Sequence, residues 1–242
     1  MTPMHEIMTD SIGIFNQKYI DMGANSQRKY PNEAAIRFLA ENFLHIPTEL
    51  RSEIRILDLV CGSGSNLWVY EREGFEAHGI DGSLNGLLIA KKVVASFLFT
   101  GSKTHLTNAN LVSLPYQEST FNAAVDVVTL QHLNQNEGHQ ALSEIYRALR
   151  SGGKLFSFRL SQGSGIYTKL RQSASWLDEF TVANIPDGLP LADNGPTAFW
   201  SVDHANQELT AIGFINIKIT KSSRTYKDSE IIEYLEINAM KA

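Results

Sequence analysis

Two hydrophobic periods take turns along the chain. Met8, Ile12, Phe15, Tyr19 and Met22 recur three or four residues apart, and Ile36, Leu39, Ala40, Phe43 and Leu44 do so again after Pro31. This spacing predicts two amphipathic helices separated by a proline break. Residues 54–59, IRILDL, are a near-continuous apolar run of strand length. The pattern then predicts a helix from about Ser65, a strand over 76–81, and a helix with the stripe Leu84, Leu87, Leu88 and Val94. A strand follows at 103–107, then the run AAVDVVTL at 123–130, a helix carrying Ala141, Ile145, Ala148 and Leu149, the pair Gly152-Gly153, and a strand at 154–158. Strands alternating with helices imply a parallel sheet covered on both faces.

The end of the chain changes character. Ile215, Ile217 and Ile219 alternate with Asn216, Lys218 and Thr220, and Leu235, Ile237 and Ala239 alternate with Glu236 and Asn238. Period two in both segments, with too little chain between them for a helical crossover, predicts an antiparallel hairpin. Between 160 and 200 the alternation lapses into a Gly- and Pro-containing stretch that carries Tyr167, Trp176, Phe180, Phe199 and Trp200, and Trp176, Leu177 and Phe180 fit a short helical stripe.

Composition narrows the class. With 242 residues, 43% hydrophobic and 19% charged, the chain has the makings of one substantial core. A net charge of -5 and the absence of a basic block weigh against a nucleic-acid partner. No apolar run approaches the ~20 residues of a membrane span, and the start of the chain has no secretory pattern; a cytoplasmic protein is expected. Cys61, the one cysteine, is expected to be a small packed residue in a reducing compartment. His78 and His105 fall in strands with no cysteine or carboxylate at ligand spacing, so no metal is expected.

The segment ILDLVCGSGSN (56–66) is the richest in chemistry. Glycines that follow the first strand of a doubly wound sheet let a ligand approach the backbone and the next helix N-terminus. A pyrophosphate fingerprint needs a third glycine, and Leu67 stands there instead, which opposes an NAD-dependent oxidoreductase. Asp81, at the end of the second strand, is placed to accept from ribose hydroxyls.

The chain resembles the class I S-adenosylmethionine-dependent methyltransferases from about Tyr19 to its end. DLVCGSG (58–64) is similar to the family's D-x-G-C-G-x-G loop, GIDGS (79–83) to its ribose turn, and NLVSLPY (110–116) to its D-x-x-x-L-P-F segment. FNAAVDVVTLQHL (121–133) is similar to the fourth-strand segment, and ALSEIYRALRSGGKLF (141–156) to the helix–loop–fifth-strand signature. Val60, Asn110, Asn122 and Ser151 depart from the pattern. A branched side chain restricts the backbone, so Val60 is expected at negative φ.

The resemblance implies an α/β fold, a Rossmann-like doubly wound, mostly parallel seven-stranded sheet with an antiparallel C-terminal strand and helices on both faces. Residues 1–50 would be an N-terminal helical cap, 51–242 the S-adenosyl-L-methionine-binding domain, and 160–200 an insertion covering the substrate. It implies that Asp58, Val60, Gly62 and Gly64 hold the methionine part of the cofactor. Asp81 with Gly82 and Ser83 would hold the ribose, Asn110 with Leu111 the adenine, and Leu130 and Gln131 would flank the site. Arg28 is a candidate partner of the cofactor carboxylate through its guanidinium fork. Tyr19, on the stripe of the first helix, is a candidate contact or a packing residue.

Displacement at a methyl group proceeds by positioning, so no catalytic triad is required. Where an acceptor must lose a proton, His132, at the mouth end of the fourth strand, is the candidate base. His204 falls at a helix start that Ser201 or Asp203 is expected to cap. The favoured reading is methyl transfer to a small, partly apolar metabolite. The alternatives are a methyltransferase for tRNA or protein and a non-catalytic S-adenosylmethionine-binding subunit.

Overall fold

The computed structural model describes residues 4–98, 102–226 and 230–242, with side chains from Ser11 onward, so the Met8 side chain lies outside the described residues. Its main sheet has seven strands: β1 (Arg55–Leu59), β2 (Glu76–Asp81), β3 (His105–Asn108), β4 (Phe121–Val127), β5 (Leu149–Leu160), β8 (Phe214–Tyr226) and β9 (Glu230–Lys241). Their order is β3-β2-β1-β4-β5-β9-β8. The first five run parallel, and β9 is antiparallel to both of its neighbours. The expected Rossmann-like α/β fold is observed. From β1 the chain winds outward through β2 and β3 and then crosses back to β4 on the other side of β1, and this reversal opens a crevice at the carboxyl ends of the strands.

The helices start where their caps are. Asn32, just after Pro31, accepts from Ala34 N and Ala35 N and opens α2 (Glu33–Phe43), which α1 (Met4–Met22) precedes. Ser83 caps α4 (Leu84–Phe97), which follows α3 (Leu67–Arg72), and Asn134 with Glu137 makes a capping box at α5 (Gln135–Ala148). After α6 (Gly165–Ser173), Ser201 caps α7 (Val202–Ile212) by accepting from His204 N, and Gly213 ends it at φ 113°. α2 packs into the core, with Phe38 stacked on Phe156 at 5.2 Å.

Some local expectations differ. Of the expected stripe of α4, Leu87 and Val94 are buried, while Leu84 and Leu88 face solvent and Gly86 and Ala90 take their place in the core. Residues 176–180 are not helical: Asp178 Oδ1 accepts from Phe180 N and Thr181 N, closing a turn. That turn leads into β6 (Thr181–Val182), which pairs with β7 (Thr197–Ala198). The fifth strand is longer than 154–158, and Gly152-Gly153 lie within it at a bulge opposite β4. The hairpin strands also run on, to Tyr226 and from Glu230, so their free ends pass beyond Leu160, the last residue of β5 paired to β9.

Candidate functional site

A cavity of about 360 Å³ lies at the carboxyl ends of β1, β2 and β4. That is the size range of small-molecule sites. Tyr19, Arg28, Asp58, Val60, Asp81, Gly82, Leu111, Gln131 and His132 line it, as does Cys61. The structure places the remaining expected site residues behind this wall. Gly64 turns toward α4, where an added Cβ would sit 3.1 Å from Ala90 Cβ, and its φ of +80° suits glycine. Ser83 caps α4, Leu130 is in the core, and the Asn110 side chain accepts from Val112 N at 2.9 Å rather than facing the cavity. Ala109 and Leu111 form the wall at that point.

Gly62 N donates to Asp81 Oδ2 at 2.9 Å, which ties the glycine loop to the end of β2. The outer side of Gly62 is covered by Gln27, whose Oε1 would collide with an added Cβ. Gln27 Nε2 also donates to Tyr19 Oη at 2.6 Å, so the side chain roofs the loop. Tyr19 is buried and its ring lies against Gly86, so it is both a cavity residue and a packing residue.

Val60 overturns the expectation of negative φ: it sits at φ +50°. Val128, at the end of β4, sits at φ +60°. Both line the cavity, at the ends of adjacent strands. A β-branched residue in the left-handed region costs on the order of 1–3 kcal/mol and persists only where its surroundings fix it. Val128 N is held by Phe158 O at 2.7 Å, and Thr129 Oγ1 donates to Leu59 O at 3.2 Å, so the two strand ends are bound into one frame.

Two buried carboxylates face this frame. Burial pushes Asp81 up to about 6, against backbone donation from Ser83 N and Gly62 N. Each oxygen takes one N–H, and a carboxylate has lone pairs beyond these. Burial pushes Asp58 further, to about 7, against a hydrogen bond from Asn66 Nδ2 at 3.2 Å and the charge of Arg28 at the rim. Asn66 Oδ1 in turn accepts from Asn32 N, so α2 holds the group that orients Asp58.

His132 follows from the buried Asp126, which accepts from Thr129 N and Leu130 N and so folds the chain after β4 into a tight turn. Its Nδ1 lies 2.9 Å from Pro196 O, a carbonyl that only accepts, so Nδ1 carries the proton and Nε2 the lone pair. Burial lowers the imidazole pKa to about 4, with Pro196 O opposing and Lys18 assisting. His132 is therefore neutral at physiological pH.

Phe15 meets the His132 ring edge-on at 5.2 Å, and Phe158, Leu191, Asn194 and Tyr234 complete this side of the cavity. Lys18 Nζ donates to Asp193 O and Asn194 Oδ1, each at 2.7 Å, which ties α1 to the 160–200 segment. Gln27, Asn194 and Tyr234 have no sequence signal of their own, since each comes from an element that only the fold brings to the mouth, whereas Asn66 closes the glycine-loop segment 56–66 itself.

His204 stacks on Phe180 at 3.8 Å and stays a cap-region residue. The expectation that His78 and His105 have no carboxylate partner is overturned, because Glu76, on the same face of β2, lies 2.8 Å from His78 Nε2.

Residues 56–153 match the family profile described as a methyltransferase domain. They form a class I S-adenosylmethionine-dependent methyltransferase domain. The chain is 27% identical over 151 residues to a malonyl-[acyl-carrier protein] O-methyltransferase of Buchnera aphidicola, covering 62% of this chain and 58% of that one. It is 32% identical over 118 residues to a demethylmenaquinone methyltransferase of Lactiplantibacillus plantarum, covering 47% and 48%. The chain thus spans about half the length of the curated relatives it matches. In fold it is similar to the Burkholderia thailandensis 1,6-didemethyltoxoflavin-N1-methyltransferase with bound S-adenosylhomocysteine, with TM-score 0.65 at 14% identity, covering 100% of this chain and 92% of that one. The matched residues supply β1 through the start of β5; the rest of the chain adds β8 and β9 to the sheet and packs α2 into the core, while α1, Leu191 and Asn194 contribute to the cavity wall. Among the described residues no helix is long and apolar enough to cross a membrane.

Proposed function

We propose that the chain transfers a methyl group from S-adenosylmethionine to a small, partly apolar acceptor. The observation that carries this reading is Asp81, buried at the cavity wall, with each oxygen steadied by one backbone N–H and lone pairs left for a vicinal diol. Asp58 and the glycine-loop backbone fit an ammonium-bearing amino-acid end, Arg28 its carboxylate, and the slot between Ala109 and Leu111 a flat heterocycle. When bound, the cofactor supplies an electrophilic methyl on a sulfonium.

The chain's own part is positioning, desolvation and a hydrogen bond. Phe15, Phe158 and Tyr234 offer apolar surface to the acceptor, and α1, joined to Asp193 and Asn194 through Lys18, excludes water above it. His132 Nε2 accepts a hydrogen bond from an acceptor hydroxyl or amine and orients it. At a pKa near 4 it is a weak base that is always ready to accept. The relatives' names attach to unlike acceptors, a malonyl group on a carrier protein, demethylmenaquinone and didemethyltoxoflavin; a small acceptor is favoured by the size of the cavity and its mostly apolar wall.

Calorimetric titration with S-adenosylmethionine, S-adenosylhomocysteine and NAD tests the cofactor, and labelled-methyl transfer to a panel of small aromatic and apolar nucleophiles tests the acceptor. Binding of the first two ligands and turnover of a small acceptor are expected. Binding of NAD alone, or transfer to RNA or protein only, overturns the reading. At saturating cofactor, any acid limb of kcat from His132 lies near pH 4 rather than 6.5.

A further inference from the structure

Away from the cavity, Glu76 and His78 project from the same face of β2, and His105 on edge strand β3 is the register partner of His78. One donor atom from each lies within 4.8 Å of the others. The two imidazoles stack at 4.5 Å with 20° between their planes, so one ion can lie in both ring planes only once the exposed His105 ring has turned about its Cβ–Cγ bond. Phe121 and Tyr116 meet the His78 ring edge-on from the inner side, at 5.2 and 5.9 Å, and hold it in place.

His78 Nε2 lies 2.8 Å from Glu76 Oε1. An imidazole nitrogen and a carboxylate oxygen at that distance hold a proton or a cation between them.

We propose that Glu76, His78 and His105 form a zinc-type divalent-cation site. Two imidazole nitrogens and one carboxylate oxygen match the ligand preferences of Zn²⁺, and the exposed side at His105 leaves room for water as a fourth ligand. Arg55 Nε, 3.1 Å from both Glu76 oxygens, orients the carboxylate from behind, while its charge moderates the affinity. The ion takes the place of the proton between His78 and Glu76 and pins the edge strand to β2. Asp81 is three residues further along β2, roughly 10 Å by strand rise, so the ion stays clear of the chemistry in the cavity and the proposal stands apart from the methyl-transfer reading.

The test is titration of the chelator-treated full chain with ZnCl₂, with Co²⁺ absorption as a geometric signature and thermal melting as a second readout. One ion per chain, visible Co²⁺ bands of a four-coordinate site and a raised Tm are expected. His105→Ala and Glu76→Gln each weaken binding at least tenfold, in keeping with the loss of a ligand. His105 is exposed, so its variant is expected to keep the circular dichroism of the parent. Absence of stoichiometric binding, or an affinity that His105→Ala leaves unchanged, overturns the site.

Discussion

The two ends of the parallel strands handle charge and strain in opposite ways. At the amino ends, carboxylates are partnered. Glu144 lies below its ordinary pKa because Arg147 donates to it, and Arg147 also holds the carbonyls of Leu114 and Tyr116. Glu76 lies low because hydrogen bonds from His78 and Arg55 outweigh its burial. At the carboxyl ends, Asp58 and Asp81 are pushed up by burial that their hydrogen bonds only partly offset, and Val60 and Val128 hold left-handed backbone between them. One end is built for stability. The other keeps unsettled charge and strain where a ligand with complementary charge relieves them.

The sharpest way to break this contrast is Asp81→Ala. Loss of a carboxylate that accepts from a diol lowers S-adenosylmethionine affinity roughly 100-fold, by the ~1.5–3 kcal/mol of each charged hydrogen bond. Calorimetry reads the affinity, and circular dichroism checks that the freed Gly62 and Ser83 N–H groups have not undone the loop.

Asp58 sharpens it through pH. Its folded pKa, about 7, lies above the 3.8 of the free side chain, so the native state keeps a proton that the unfolded chain has lost between those values. Its contribution to stability therefore falls as pH rises from about 4 to about 7. His132, lowered from 6.5 to about 4, acts in the opposite sense, gaining stability as pH rises through that window. In the ligand-free protein, Asp58→Asn is expected to gain on the order of 2 kcal/mol relative to the parent between pH 5 and 8, measured by denaturant titration. If an ammonium pairs with ionised Asp58, cofactor affinity rises about tenfold from pH 6 to 8, and Asp58→Asn flattens that rise.

Val60→Gly removes strain and lets the unfolded chain roam more freely, two effects of opposite sign. The net expectation is about 1 kcal/mol of added stability, seen as a higher Tm in thermal melts; an unchanged or lower Tm would show that the loop is not strained there. The smallest effect belongs to the paired end. Glu144→Gln costs about 0.5 kcal/mol, because the pair is partly exposed, and high salt shrinks the difference further.

Much of this was legible beforehand because the signals are local. The buried runs of β1 and β4 fixed the sheet, and Asp81 followed from its place at a strand end. Val60 was misread because side-chain preference argues for negative φ, while the loop closes around Asp81 and enforces the opposite. Asn110 turned inward because its own chain offered a nearer donor, Val112 N. The tail of β8 escapes the alternation count because past the end of β5 it is an edge paired to β9, exposed along Arg224–Tyr226, with no buried face to impose a period. Glu76 and His78 are legible as partners in the sequence, because i and i+2 share a strand face, although the pair does not have the spacing of a helical metal motif.

Cys61 lines the cavity yet is buried, its thiol packed where Gly79 leaves room, and it is the chain's one cysteine. Burial raises its pKa, so it stays a thiol and resists alkylation. A sulfur set in the cavity wall is therefore a built-in reporter: its labelling by an alkylating reagent is expected to slow when a ligand fills the cavity.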